Sequence, residues 1–477
     1  MAQSILKLNG TQIVDGAGNP VLLRGAGIGG WMNMENFITG YPGREYQIRE
    51  ALAEVIGEEK SQFFFDKFLE YFFTESDAKF YKSLGLNCIR VPFNYRHFED
   101  DMNPGVIKPD GFKWLDRIVD LCAAEGIYTI LDLHTAPGGH NGDWHSDAGH
   151  HIAEFWRHKH FQDRAVWLWE NIAAHYKDNV WIAGYNPLNE PCDPTKTRLT
   201  VWYDRVYDAI RAADPDHLLF WDGNTFASDF SCFNIETCKR WTGSVYACHD
   251  YSNFGFPLSP EQYTGSEAQR ARVRRSYEKK VAWMKENNLP IWNGEFGPVY
   301  ARRQYDGDAT DGINTSRISL LKDQLDIYDD ENIPWSIWTY KDIGYQGMVY
   351  VNPETKYMKL FRNFLEKKFR TAIDAWGADE SHVKHIWDPL EKFFADNVEE
   401  KYRGLYPHPV WKFENRISRI SRNILLAEYM VKEWADHFDG MGFEELDEIA
   451  QSFRFENCIQ REELNKVLQD HRDVHRK

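Results

Sequence analysis

Positive charge is scarce in this chain: 56 Lys and Arg stand against 73 Asp and Glu, a net charge of −17. That balance disfavours phosphate backbones and anionic membrane surfaces, so no nucleic-acid partner is expected. No apolar run approaches the roughly 18 residues a membrane span requires, so no stable membrane insertion is expected either. The segment from Met1 to Gly10 has no basic stretch followed by a sustained apolar run, so it does not read as a secretory leader, and a cytoplasmic location is the expectation. The seven cysteines are odd in number, and several fall inside segments with strand or helix patterning, which argues against a disulfide framework. The glycines at 25, 27, 29 and 30 lack the Gly-Lys-Ser/Thr ending of a phosphate loop and more simply permit a tight turn. His140, His145, His150, His151, His158 and His160 crowd one region, but none sits in a His-Glu-x-x-His arrangement; neither a metal site nor any other cofactor is expected.

What is abundant is a repeated alternation. Short apolar segments at 21–25, 87–92, 128–133, 183–189, 218–221, 244–249, 291–295 and 334–338 are separated by amphipathic runs such as 112–125, 163–176, 199–213 and 269–287. Eight strand-helix repeats predict an α/β protein of the (β/α)8 barrel type. A doubly wound sheet would gather its polar site residues at one switch point. Here they follow nearly every apolar run. A small hairpin is expected over about residues 5–14, closing one end. Residues 1–378 are read as the catalytic barrel with that hairpin, and 379–477 as a C-terminal α-helical extension. In the extension Ile417, Ile420, Ile424, Ala427, Val431, Trp434 and Phe438 recur every three or four residues, a narrow apolar stripe that must be buried against the barrel or in a homo-oligomer. The last 35 residues are charged and are expected to be helical and to fray.

Two segments share one grammar. Gly184 to Pro191 ends its apolar run in Asn189-Glu190-Pro191, and Leu289 to Gly297 ends in Asn293-Gly294-Glu295-Phe296-Gly297. Proline cannot continue a strand ladder, so Asn189 and Glu190 should face the space above the strand ends, where barrel enzymes keep their chemistry. Two carboxylates delivered there suit glycoside hydrolysis, in which one acid protonates the leaving oxygen and the other carboxylate attacks the anomeric carbon.

The strand ends supply, in order, Arg90, His134, Asn189 with Glu190, His249 with Tyr251, Glu295 and Trp338. With the motifs Asn87-Cys88-Ile89-Arg90-Val91-Pro92, Leu131-Asp132-Leu133-His134, Leu188-Asn189-Glu190-Pro191 and Trp335-Ser336-Ile337-Trp338, this series resembles glycoside hydrolase family 5, a retaining barrel family, over about residues 5–375. The resemblance implies Glu190 as acid/base and Glu295 as nucleophile. It further implies that Arg90 and Tyr251 support Glu295, Asn189 binds the sugar 2-OH, His134 and His249 bond the sugar or the acid, and Trp338 floors the site. The segment with Trp31 and Glu35, and the loop with Asn141 and Asp147, resemble the pocket of exo-β-1,3-glucanases in that family, although Asp143-Trp144-His145 departs from their pattern. The resemblance therefore implies a retaining exo-acting β-glycosidase releasing terminal β-D-glucosyl or related units from an oligosaccharide or glycoconjugate. A diglycosidase or an endo-β-glucanase of the same family is the alternative, and a catalytically silent sugar-binding barrel is the non-enzymatic one.

Overall fold

The computed structural model describes residues 4–374, 376, 379–404 and 413–472. The eight apolar runs become parallel strands: Arg24–Gly27, Cys88–Asn94, Tyr128–Thr135, Ile182–Asn186, Leu218–Asp222, Ser244–His249, Ile291–Glu295 and Trp335–Ile337. Each pairs with the next and the eighth with the first, closing the (β/α)8 barrel. Helices cover the outside and side chains fill the inside, so the strands are buried on both faces and read as nearly continuous apolar runs. Residues near the strand starts, including Leu23, Cys88, Tyr128, Leu218 and Val245, form one cluster with Leu6 and Ile13 of the N-terminal hairpin. The hairpin therefore seals the end of the barrel opposite the strand tips.

The first strand begins later than the sequence suggests. Asn87 explains the offset: its amide accepts from the Arg24 N–H at 2.8 Å and donates to Leu22 O at 3.0 Å, taking the place of ladder partners before the strand starts. The strand then passes so close to its neighbour that a Cβ at Gly25 would lie 1.6 Å from Cys88 O. Only glycine fits there. Between the first two barrel strands, Gly57, at φ 84°, separates the helices Glu45–Ile56 and Glu58–Phe72. Thr74 and Asp77 cap the next helix, Glu75–Ser83, as their spacing suggests, with Thr74 N–H donating to Asp77 at 2.8 Å.

Past the barrel, the expected division at residue 378 lies outside the described residues. The apolar stripe forms Phe413–Arg419, a π-helical segment Ile420–Leu426 and Ala427–Asp436. It is covered by its own chain: Trp434 meets Tyr41 edge-on at 4.5 Å and stacks on Phe361 at 5.5 Å, while Phe438 meets Phe64 at 5.0 Å. The tail corrects the expectation of fraying. Cys458–Gln460 pairs antiparallel with Val349–Val351, and in the helix Glu462–Arg472 the side chains of Leu464, Val467 and Leu468 are buried. His471 then reaches Asp329 at 2.7 Å, and Asp329 in turn holds Arg24 of the first strand at 2.5 Å. A charged surface sequence concealed this because only three residues of the buried face are apolar. None of the seven cysteines is in a disulfide, and among the described residues no helix is long and apolar enough to cross a membrane.

Candidate active site

Above the strand tips, Glu295 is held by two donors. Arg90, fully buried, donates from Nη1 to Oε1 at 2.5 Å, and Tyr251 donates its hydroxyl to Oε2 at 2.8 Å. Arg90 is itself fixed by Asn186 at 3.0 Å, by Asn189 at 2.6 Å and by Asp132 at 3.0 Å. Burial lowers the proton affinity of Arg90, but Asp132, Glu295 and Asp222 outweigh it and favour the charged guanidinium. For Glu295, burial raises the pKa and Glu190 adds to that, while His249, Arg90 and Tyr251 oppose it. With a cation on one oxygen and a phenol on the other, Glu295 is the member of the pair equipped to be an anion.

Glu190 sits in a different setting. Its backbone takes the left-handed conformation, φ 47°, with its N–H donated to Asp222 at 2.9 Å. Its Oε1 lies 2.6 Å from His249 Nδ1, and no cation touches it directly. Burial, then the Asp222 charge, push its carboxyl up to about 8. Burial also lowers His249, so the neutral forms of both are favoured and one proton is shared across the short contact. The ladder register slips between Cys248 and His249, which brings His249 opposite Glu295. Oxygens of Glu190 and Glu295 and a ring nitrogen of His249 consequently lie within 4.8 Å of one another.

The remaining predicted residues divide into those the structure gathers and those it does not. His134 is gathered: Nδ1 lies 2.7 Å from Asp132, Asn189 Nδ2 approaches Nε2 at 3.2 Å, and the ring stacks parallel on Trp338 at 5.4 Å. Trp338 fits because Gly27 and Gly29 lie beneath it; a Cβ at Gly29 would stand 2.4 Å from its ring. Glu35 is gathered too, with Oε2 accepting from Trp144 Nε1 at 3.1 Å and Oε1 buried, without a hydrogen-bond partner among the described residues, 3.6 Å from His134 Nε2. Burial, then Glu295, raise its pKa well above the usual carboxylate range. Asn141 touches the acid's strand tip by donating to Glu190 O at 3.1 Å.

Trp31 and Asp147 are corrections. Trp31 turns into the core and donates to Leu69 O at 2.9 Å, and Asp147 turns outward to Arg96 at 2.6 Å and Asn94 at 3.0 Å. Each satisfies its polar atoms away from the carboxylate pair. The crowded histidines also separate: His145 lies 3.4 Å from Glu190 Oε2 and His140 is buried nearby, whereas His158 pairs with Glu154 at 3.2 Å. Among the described residues they form no shared ligand set.

Residues 56–344 match the family description "Cellulase (glycosyl hydrolase family 5)". Along almost the whole chain the sequence is 67% identical to a "Beta-xylosidase" of Phanerodontia chrysosporium, covering 98% of both. The chain belongs to glycoside hydrolase family 5. It is therefore a glycoside hydrolase acting on carbohydrate. More distantly, it is 24% identical to a "Probable glucan 1,3-beta-glucosidase A" of Neosartorya fischeri, over 68% of this chain and 84% of that one. Among solved structures, the clostridial cellulose synthase subunit Z of Clostridioides difficile shares the fold at TM-score 0.51 and 19% identity, over 72% of this chain and 99% of that one.

Within this family 5 site, sequence reasoning missed Asp132, Asn186 and Asp222, which hold Arg90, His134 and Glu190. A carboxylate or amide inside an otherwise apolar strand was the available signal, since such a group is buried only with partners. Trp376 was missed as well: its ring packs edge-on against Tyr251 at 4.7 Å and Phe256 at 4.9 Å. Phe226 lies in a left-handed run with Thr225 and Ala227 at φ 58°, 55° and 53° for 225–227, and brings its ring to 6.1 Å from His145. Nothing in the sequence near it announces that turn.

Proposed function

We propose that the protein is a retaining, exo-acting β-glycosidase in which Glu190 is the acid/base and Glu295 the nucleophile. The observation that carries this reading is the asymmetry of the close carboxylate pair: Glu295 is held by Arg90 and Tyr251, while Glu190 shares a proton with His249 and is pushed up to about 8. Carboxylate oxygens within 4.8 Å of each other leave no room for a water between carboxylate and sugar, which supports double displacement. In the first step Glu295 attacks the anomeric carbon as Glu190 passes its proton to the departing oxygen; in the second, Glu190 takes a proton from water, which displaces Glu295 from the sugar.

Asn189, held by Arg90 and facing His134, is the group placed for the sugar 2-OH. Glu35 supports exo action. Its unpartnered buried oxygen beside His134 offers an acceptor to a terminal sugar hydroxyl, and Trp144 stands against its other oxygen. The relative named a β-xylosidase supports a terminal β-D-xylosyl unit as the group released; the resemblance to exo-glucanases supports a β-D-glucosyl unit. The barrel and the C-terminal extension act, on this reading, as one catalytic unit.

The test is to incubate the protein with aryl β-xyloside, aryl β-glucoside, two aryl β-disaccharides and laminari-oligosaccharides and to identify the sugar set free. Single xylose or glucose units are expected, with the ratio of kcat/KM on the two monosaccharides deciding between them. Release of intact disaccharide, or cuts inside the oligosaccharide, would overturn exo action. A second expectation concerns pH. Glu190 must be protonated and Glu295 ionised, so kcat/KM should fall on the basic side near about 8 and on the acid side above the ordinary carboxylate value of 4.5. A profile that stays flat from neutrality to well above pH 8 would contradict the role given to Glu190.

A further inference from the structure

The loop after the third strand brings three side chains to the site: Asn141 at the Glu190 backbone, Trp144 on Glu35 and His145 beside Glu190. Inside the barrel mouth the loop is held by Thr135 and Asn33, both bonded to His145 O, at 2.7 and 3.2 Å. Its outer side is held by residues much later in the chain. Arg419 Nη2 donates to Asp143 Oδ1 at 2.8 Å, with side-chain exposures of 26% and 9%. Arg44, almost fully buried, donates from Nε to Ala148 O and from Nη1 to Asn423 O, both at 2.7 Å, so it ties the same loop to the same late segment. Arg422, in turn, fixes that segment to the end of the barrel by donating to Ala372 O at 2.6 Å. All these attachments fall in or beside the π-helical stretch Ile420–Leu426. A π turn inside an α-helix is uncommon and recurs where a helix serves a site.

We propose that this segment of the C-terminal extension is part of the sugar-binding pocket, with Arg419 as a positioning residue that fixes, through Asp143, the loop carrying Trp144 and His145. Its kinetic consequences rest on the roles given above to Glu190 and Glu295, but the attachment itself can be read without turnover. Asp143 is also one of the charges that raise Glu190, whose other charged or titratable neighbours are Glu35, Arg90, Asp132, Cys192, Asp222, His145, His249, Tyr251 and Glu295. Removing the Arg419 guanidinium leaves Arg44 as the cation facing Asp143, so the Asp143 charge is less compensated and should raise Glu190 further. Arg419 thus acts on the wall's geometry and on the acid's proton affinity through one contact.

The experiment compares the full chain with Arg419→Ala and Arg419→Lys. Hydrogen exchange over residues 139–151 should quicken in Arg419→Ala while the barrel strands keep their protection. On an aryl glycoside that the unaltered protein cleaves, KM should rise about tenfold, the size of one lost charge-assisted contact, with kcat falling less. The basic limb of kcat/KM should move to higher pH, and Arg419→Lys should restore most of each effect. Unchanged exchange together with an unchanged KM in Arg419→Ala would overturn the proposal. If Arg419→Ala loosens the strands as well, Asp143→Ala breaks the same contact from the loop side; it should quicken the loop alone, and an unchanged loop would overturn the proposal. If the unaltered protein cleaves no glycoside, the glycosidase reading fails, and the exchange result alone decides the inference.

Discussion

Glu295→Gln is expected to abolish turnover, by a factor on the order of 10^6, the scale seen when a covalent nucleophile is removed. The amide keeps the shape of the carboxylate but cannot form the glycosyl ester. The fold should survive, because Arg90 retains Asp132, Asn186 and Asn189 as partners and is not left as a bare buried charge. Sugar binding should survive too, since Asn189, His134 and Glu35 are untouched. Steady-state assays alongside calorimetric titration with the released sugar separate these outcomes. Activity within about tenfold of the unaltered protein would refute the nucleophile assignment, since that loss is far below what removal of a covalent nucleophile costs.

Glu190→Ala should show the complementary signature. General acid assistance is worth roughly 10^2- to 10^4-fold, and most where the leaving group is poorest. Natural glycosides should therefore lose nearly all activity, while dinitrophenyl glycosides should still load the enzyme rapidly. Deprived of its base, the glycosyl-enzyme then waits for water. Azide needs no base and fits the space vacated beside His249, so it should speed release and give a β-glycosyl azide. Product of the opposite anomeric configuration, identified by NMR, would exclude a double displacement. Absence of any azide effect together with undiminished cleavage of poor leaving groups would show that another residue donates the proton.

The barrel was legible because its signals are local and repeated. Each strand announces itself as an apolar run, and the site residues interrupt or end those runs, Arg90 inside Cys88–Asn94 and the others at, beside or beyond a strand end, so Arg90, His134, Glu190, His249, Glu295 and Trp338 could all be placed in order. Partnerships were less legible. Trp31 lies only four residues from Glu35, yet one turns into the core and the other to the site, because the hydrogen bond that decides it, to Leu69 O, comes from a helix far along the chain. Asp147 was drawn away by Arg96 in the same manner. The first strand shifted because an amide, Asn87, replaced its early ladder partners. In the extension, the three-and-four spacing described the buried stripe well, but it carries no trace of the π turn. The tail strand Cys458–Gln460 owes its conformation to Val349–Val351 across the sheet, a tertiary effect that outweighs the helical character of its neighbours.

The link from Arg24 through Asp329 to His471 also bears on how the molecule is made. Arg24 belongs to the first barrel strand, and its Nη1 donates to the backbone of His471 in the last described helix. These partners lie 447 residues apart, so a ribosome delivers Arg24 long before His471. Until the final helix emerges, the nascent barrel has a cation at its first strand without its full set of acceptors and an apolar stripe on the Glu45–Phe72 helices without its cover. Locking of the barrel and completion of the extension are thus a single late event, and a chain stalled before that point exposes surfaces that the cell's chaperones are built to recognise.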